Sequence, residues 1–301
     1  GLQCYRSVLD VPGTIDMAVI VIPAKLVPRA VRECGEKGIP YAVIISAGFK
    51  EAGVEGARLE NEVREIAKKY GMRVVGPNCL GILNTHTKCN ASFARKMPPA
   101  GSVSIITQSG ALGTAILDWS EAAGVGFDSF VSLGNKADLN EIDFLRTWAA
   151  DPETNVIVAY LEGISNGPEF MKVAREVTRN KPIVSIKSGS TSAGSRAVSS
   201  HTGTLAGSER AYEAAFKQVG IVRAGSVQDL FDFAQAFARQ PLPTNDAVAV
   251  VTNAGGPGIM ASDAIERAGM HLASLTPEIQ QHLRAALPAA ASVVNPIDVL
   301  G

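Results

Sequence analysis

The chain has 301 residues, a formal net charge of −1, and 46% hydrophobic but only 6% aromatic residues. That length allows two compact domains and part of a third around a sizeable core. The Lys and Arg residues are scattered rather than striped, which argues against nucleic acid or an anionic membrane as partner, and no apolar run is long enough to span a bilayer.

Twenty-nine glycines among many Val, Ile and Ala point to short apolar strands alternating with helices, an α/β protein. Cys4, Cys34, Cys79 and Cys89 show no C-x-x-C spacing, and with no signal-peptide pattern we expect reduced thiols and a cytoplasmic protein.

In chain order, an apolar run at 16–22, a helical stretch from about Lys25, a run at 41–46, a helix near 56–70 and a short run at 73–75 read as successive βα units with parallel strands. No strand followed by G-x-G-x-x-G opens this region, so the unit that normally begins such a nucleotide-binding sheet lies upstream or is absent. Residues 96–101 (KMPPAG) read as a linker. A second alternating region follows: strands 102–107, 128–133, 155–161 and 182–187, and helices 110–123, 140–149, 168–178, 208–219 and 226–239. It reads as a complete doubly wound domain. The proline-bearing junction 240–244 precedes a strand at 246–252 and helices at 258–268 and 277–286, too few elements to close a third sheet. We therefore expect both ends of the chain to fall inside domains.

Two segments resemble one another: VSIITQSGALG at 103–113 and VAVVTNAGGPG at 248–258. Each reads as a strand, T-x-x-G-x-x-G, then a helix. Glycine permits close backbone approach, and the free N–H groups and dipole of a helix start attract an anion. Ser109, Gly110, Gly255, Gly256 and Gly258 are thus candidate phosphate contacts. Glycine in one such turn is equally explained by helix–strand packing, whereas two matching turns favour phosphate. Neither turn is a P-loop.

After the strand at 182–187, a Ser- and Gly-rich stretch leads to His201. A neutral imidazole can attack phosphorus near neutral pH, yet a lone loop histidine is more often an ordinary surface residue, so the residue alone leaves its role open. His86, His271 and His282 belong to no motif and read as surface or helix positions. Trp119, at helical spacing from Leu112 and Ala115, reads as core. No metal site is expected.

GPNCLG at 76–81, TQSGALG at 107–113, YLEGI at 160–164 and SSHTGTLAG at 199–207, in this order, resemble the ADP-forming acetyl-CoA synthetases and are similar to the α subunit of succinyl-CoA synthetase. The resemblance implies a truncated Rossmann-like CoA-binding domain (1–98), a flavodoxin-like ligase domain (99–240) and the start of a second ligase domain (241–301). It assigns His201 as the phosphohistidine and Glu162 as the carboxylate that orients it, and aims both glycine turns at the phosphohistidine. It carries CoA contacts onto Pro23, Ser46, Ala47, Gly48, Asn78 and Cys79, although a buried structural cysteine explains Cys79 equally well.

The implied reaction interconverts acyl-CoA, ADP and phosphate with carboxylic acid, ATP and CoA through an acyl phosphate. Nothing in the chain resembles an ATP-grasp domain, so ATP or ADP with Mg belongs to a partner subunit or downstream sequence, and an oligomer is expected. Two alternatives stand beside this reading. One is a non-catalytic sensing region of a protein acetyltransferase, against which the full SSHTG pattern argues. The other is a dinucleotide-dependent dehydrogenase, weakened by the missing G-x-G-x-x-G.

Overall fold

The computed structural model describes residues 3–189 and 209–300, and the chain divides into two units between Gln240 and Pro241. The first unit opens on a three-stranded parallel sheet of β1 (Met17–Ile20), β2 (Tyr41–Ile44) and β3 (Arg73–Val75), in the order β1-β2-β3. Helix α1 (Val27–Glu36) begins with Pro28 in its first turn, where the missing N–H costs nothing, and buries Val27, Val31 and Cys34. Helix α2 (Val54–Tyr70) ends at Gly71, whose φ of 67° supplies the left-handed stop. The two helices share one core with the sheet, α1 through Val27, Val31 and Cys34 and α2 through Leu59, Val63 and Ile66, while Val43, Val75 and Cys79 join the core of the larger sheet.

The larger sheet has seven strands. Its parallel part is β6 (Ala100–Thr107), β7 (Phe127–Ser132), β8 (Val156–Leu161), β9 (Ile183–Lys187) and β10 (Val222–Arg223). A hairpin of β4 (Gly81–Asn84) and β5 (Cys89–Ser92) adds antiparallel to β7, with Ile82 opposite Val131, giving the order β10-β9-β8-β6-β7-β4-β5. The hairpin, which the sequence reading grouped with the first 98 residues, thus lies on this sheet, and residues 100 and 101 of the expected linker already belong to β6.

Helices α3 (Gly110–Ala123) and α7 (Val227–Arg239) cover one face around Ile105, Phe130 and Leu230. Helices α4 (Glu141–Ala150), α5 (Gly167–Val177) and α6 (Glu209–Val219) cover the other around Ile106, Leu145 and Phe170. This is the doubly wound arrangement, with strands buried on both faces. Trp119 stacks on Phe231 with ring centroids 3.6 Å apart, at the rim of that core.

In the second unit the expected strand at 246–252 is two short pieces, β11 (Ala247–Val248) and β12 (Val251–Thr252). The Asn295 side chain replaces ladder partners between them, accepting from Val250 N at 2.9 Å and donating to the Val248 carbonyl at 2.8 Å. Helix α8 (Gly255–Arg267), β13 (His271–Leu272), α9 (Pro277–Ala286) and β14 (Ile297–Asp298) complete it, with β11 pairing to β13 and β12 to β14. Among the described residues no helix is long and apolar enough to cross a membrane.

Candidate active site

The carboxyl ends of β6 and β8 form the centre of the site. Thr107 clasps the turn into α3: its Oγ1 accepts the Ser109 N–H at 3.1 Å and donates to the Ser109 carbonyl at 2.9 Å. Ser109 caps the helix, its Oγ accepting from Leu112 N at 3.3 Å. Among the described residues, a Cβ on Gly110 would meet nothing within 4 Å, whereas one on Gly113 would lie 2.8 Å from the Phe130 ring. Gly110 therefore leaves the helix start open to a ligand, while Gly113 serves packing.

Glu162 directly follows β8 and is buried, with 8% of its surface exposed. Gln108 grips the same strand end: its Oε1 accepts the N–H groups of Glu162 at 2.8 Å and Gly163 at 3.0 Å, and its Nε2 donates to the Gly163 carbonyl at 2.9 Å. From the other side Lys136 Nζ donates to that carbonyl at 2.8 Å and to the buried Glu141 carboxylate at 3.0 Å. The second oxygen of Glu141 accepts Ser165 N at 3.0 Å. Burial pushes the Lys136 ammonium below the usual lysine range, and the charge of Glu141 opposes that shift. Lys187, at the end of β9, is lowered in the same way by burial, against the charges of Glu209 and Glu162, and its Nζ stands 4.6 Å from the centre of the Tyr212 ring. His201, the expected nucleophile, lies outside the described residues.

The expected CoA contacts gather at the carboxyl ends of β1, β2 and β3, where ligands of open α/β sheets bind. Ser46 ties two of these ends together, its Oγ donating to the Ile22 carbonyl at 2.6 Å and accepting Ile22 N at 3.0 Å. Its own carbonyl accepts Asn78 N at 2.9 Å. Pro23, Ala47 and Asn78 are exposed there. Gly48 has a φ of 104°, and a Cβ on it would lie 3.1 Å from that of Ala24, so the loop passes too close for a larger residue.

Two of the expected contacts have partners within the protein. The Gly48 N–H is taken by Glu51 Oε1 at 2.6 Å. Burial works against the Glu51 charge, but hydrogen bonds from Asn135, Gly48 and Phe49 prevail and hold its carboxyl below the usual range. The Cys79 side chain faces the core, donating to the Ile44 carbonyl at 3.3 Å, and burial pushes its thiol up to about 12. Cys79 thus has the packing of a buried structural cysteine.

In the second unit Thr252 makes the same clasp, accepting Ala254 N at 3.1 Å and donating to its carbonyl at 2.9 Å. Ala254 gives α8 no side-chain cap. A Cβ on Gly256 would meet nothing within 4 Å, and one on Gly255 would stand 3.5 Å from Asp298 Oδ2. Gly258 has a packing role in this structure. Its N–H donates to the Ala254 carbonyl at 3.3 Å, and a Cβ on it would lie 3.0 Å from the Thr252 methyl, so it packs the helix onto the strand.

Three family models match the chain: a CoA binding domain over residues 1–85, a succinyl-CoA ligase like flavodoxin domain over 100–237 and a ligase-CoA domain over 248–301. The whole chain is 51% identical to acetate–CoA ligase [ADP-forming] I of Archaeoglobus fulgidus, of which it covers 44%. It is 47% identical to the α subunit of acetate–CoA ligase [ADP-forming] II of Pyrococcus furiosus, of which it covers 65%. Over its whole length the chain is similar to the ADP-forming acyl-CoA synthetases, and it spans 44% and 65% of the length of these two relatives. Among solved structures, acetyl-coenzyme A synthetase 1 of Ca. Korarchaeum cryptofilum in complex with phosphate and ADP superposes with a TM-score of 0.95 at 44% identity, over the whole of this chain and 65% of that one.

Within this synthetase fold, the structure brings Ser109 and Gly110 to the same sheet edge as Glu162. It also adds residues that sequence reasoning missed. Gln108 sits inside the quoted TQSGALG segment, but its hold on a strand end 54 residues away has no local signature. Lys136, Glu141 and Asn135 belong to the segment GNKADLNE, which reads in sequence as an unremarkable polar loop.

Proposed function

We propose that this chain is the CoA-binding and phosphohistidine part of an ADP-forming acid–CoA ligase. Residues 1–98, 99–240 and 241–301 serve as CoA-binding domain, central ligase domain and the beginning of a second ligase domain. Phosphate attacks the acyl-CoA carbonyl, expelling CoA and leaving an acyl phosphate. An imidazole nitrogen of His201 then attacks the phosphorus, the P–O bond to the acyl group breaks, and the carboxylate leaves. Phosphohistidine passes the phosphoryl group to ADP bound on an ATP-grasp partner subunit or downstream domain, which also holds Mg. Covalent relay of this kind splits one difficult transfer into easier ones.

The observation that carries this reading is the pairing, at one sheet edge, of a buried carboxylate with an open helix start. Glu162 would fix the imidazole tautomer and balance the positive charge it gains. The N–H groups at Gly110 would hold phosphate oxygens as charge moves. The 51% identity over all 301 residues to an ADP-forming ligase supports the same reaction class. No observation favours the acetyltransferase-linked sensing alternative. The reading keeps the expectation of a cytoplasmic enzyme that works as an oligomer.

The test is to give the complete enzyme labelled ATP and magnesium. An acid-labile, base-stable label is expected on this chain, and His201→Asn is expected to abolish both label and turnover while the circular dichroism spectrum stays unchanged. Glu162→Gln should slow labelling about 100-fold, within the range that positioned proton-handling groups contribute. A His201→Asn enzyme that still takes up acid-labile phosphate and makes acyl-CoA at a comparable rate ends this reading.

A further inference from the structure

Lys136 is a cation placed at some cost. Its φ of 57° is a left-handed conformation uncommon for a side chain with a Cβ. The turn reaches it through Gly134, where a Cβ would stand 2.2 Å from the Pro77 carbonyl oxygen. Its side chain is 14% exposed, and burying an ammonium is unfavourable unless it is well paired. The ammonium shares a cavity of about 40 Å³ with Glu162, and Lys50, Gln108 and Asn135 also line it.

Gln108 already holds the backbone of Glu162 and Gly163 through three hydrogen bonds. A neutral donor at position 136 would serve the Gly163 carbonyl equally well. What only a lysine adds is charge. Glu141 neutralises that charge from α4, Lys50 reaches the cavity from the loop after β2 but is tied to the Asn135 carbonyl and to Glu60, and Glu162 is the second carboxylate on the cavity wall, with Lys187 at the end of β9 as a further cation that interacts with its charge.

We propose that Lys136 is a positioning residue for Glu162: its buried ammonium, fixed by Glu141 and the Gly163 carbonyl, keeps Glu162 ionised and aimed for its partner. The inference rests on the reading of Glu162 as the orienting carboxylate.

The experiment measures the pH dependence of acid-labile labelling from ATP in the complete enzyme, for Lys136→Met, Lys136→Gln, Lys136→Arg, Glu162→Gln and the double variant Lys136→Met/Glu162→Gln. Removing a nearby positive charge raises a carboxylate pKa. The acidic limb of the rate profile should therefore move upward by about one pH unit in Lys136→Met and Lys136→Gln, a roughly tenfold loss of rate on that limb. Lys136→Arg should keep the limb near its original place. The double variant should label no more slowly than Glu162→Gln alone, because the lysine acts through that carboxylate.

Lys136→Gln retains a donor for Gly163, so the test stands if the methionine variant fails to fold. An unmoved limb in a folded neutral variant, or losses that multiply in the double variant, overturns the role of Lys136 and leaves that of Glu162 intact. Wild-type labelling by Glu162→Gln instead removes the orienting carboxylate from the proposed mechanism, and the inference about Lys136 falls with it.

Discussion

The turns into α3 and α8 carry the same threonine clasp with the same two distances, 3.1 and 2.9 Å, yet they present different ends to a ligand. At α3 the clasp holds Ser109, whose hydroxyl occupies the Leu112 N–H, and no group of the described residues stands near a Cβ of Gly110. At α8 the corresponding residues are Ala254, which gives no side-chain cap, and Pro257, which has no N–H where α3 has that of Leu112, and Asp298 approaches Gly255. Neither start offers a third free N–H, since one is capped and the other is absent; the carboxylate beside the second turn is what sets the two apart. The repeated motif thus encodes a way of joining strand to helix, and the neighbours decide how each helix start meets an anion.

The comparison is tested hardest at the open glycines. Gly110→Val and Gly256→Val should each lower the phosphorylation rate about 100-fold, the scale of losing one preorganised donor to a developing oxyanion, because a β-branched side chain blocks close backbone approach. Circular dichroism should show the fold retained, since neither position has a neighbour within 4 Å of a Cβ. Normal rates in both variants would refute the anion-binding role of the turns.

Gly113 tests the opposite assignment. Gly113→Ala should destabilise the chain by about 1–3 kcal/mol, the usual cost of overpacking, because its Cβ would press on Phe130. Gly110→Ala should stay within about 0.5 kcal/mol of the parent. Urea unfolding separates the two, and equal stability would show that Gly113 is not a packing glycine.

The clasps themselves differ in burial: Thr107 is fully buried and Thr252 only partly so. Thr107→Val leaves the Ser109 N–H without its partner and should cost about 1–2 kcal/mol. Thr252→Val should cost less, since water can reach the Ala254 N–H. Equal losses would mean that burial does not distinguish the turns.

How far the sequence could be read follows from where the information lies. Helix 110–123 was legible to the residue because Ser109, Gly110 and the closing Gly124 are local start and stop signals. The helix expected at 258–268 begins three residues earlier, because Gly255, Gly256 and Pro257 can all occupy a first turn although they read as a loop. The β4–β5 hairpin escaped notice because GILN and CNAS are short, carry a single β-branched residue and are joined without glycine or proline. Glu162 was reached through the motif resemblance. Its supports were not, since Gln108 and Lys136 reach Gly163 from 55 and 27 residues away in sequence, and polar side chains leave no periodic trace of such contacts. The motif leaves Cys79 open between a CoA contact and a buried structural cysteine, because it gives no sign of which way a side chain faces; the structure shows it buried.

The smallest expected effect comes from exchanging the two caps. Ser109→Ala removes the cap of the α3 turn and frees the Leu112 N–H. It should cost about 1 kcal/mol, the common loss on removing a serine N-cap. Ala254→Ser places a hydroxyl at the start of α8, where the backbone is already extended, with φ −151° and ψ 132°, as a capping residue requires. It should stabilise the second unit by less than about 1 kcal/mol, because Pro257 has no N–H to donate and only that of Gly256 remains for the hydroxyl to accept. If occupied donors limit anion binding, Ser109→Ala should also strengthen inorganic phosphate binding at the α3 turn while lowering stability, two changes of opposite sign from one hydroxyl. Calorimetric titration with phosphate beside urea unfolding reads both. A loss of stability with no gain in phosphate affinity would mean that the cap shapes the helix start without competing for its donors.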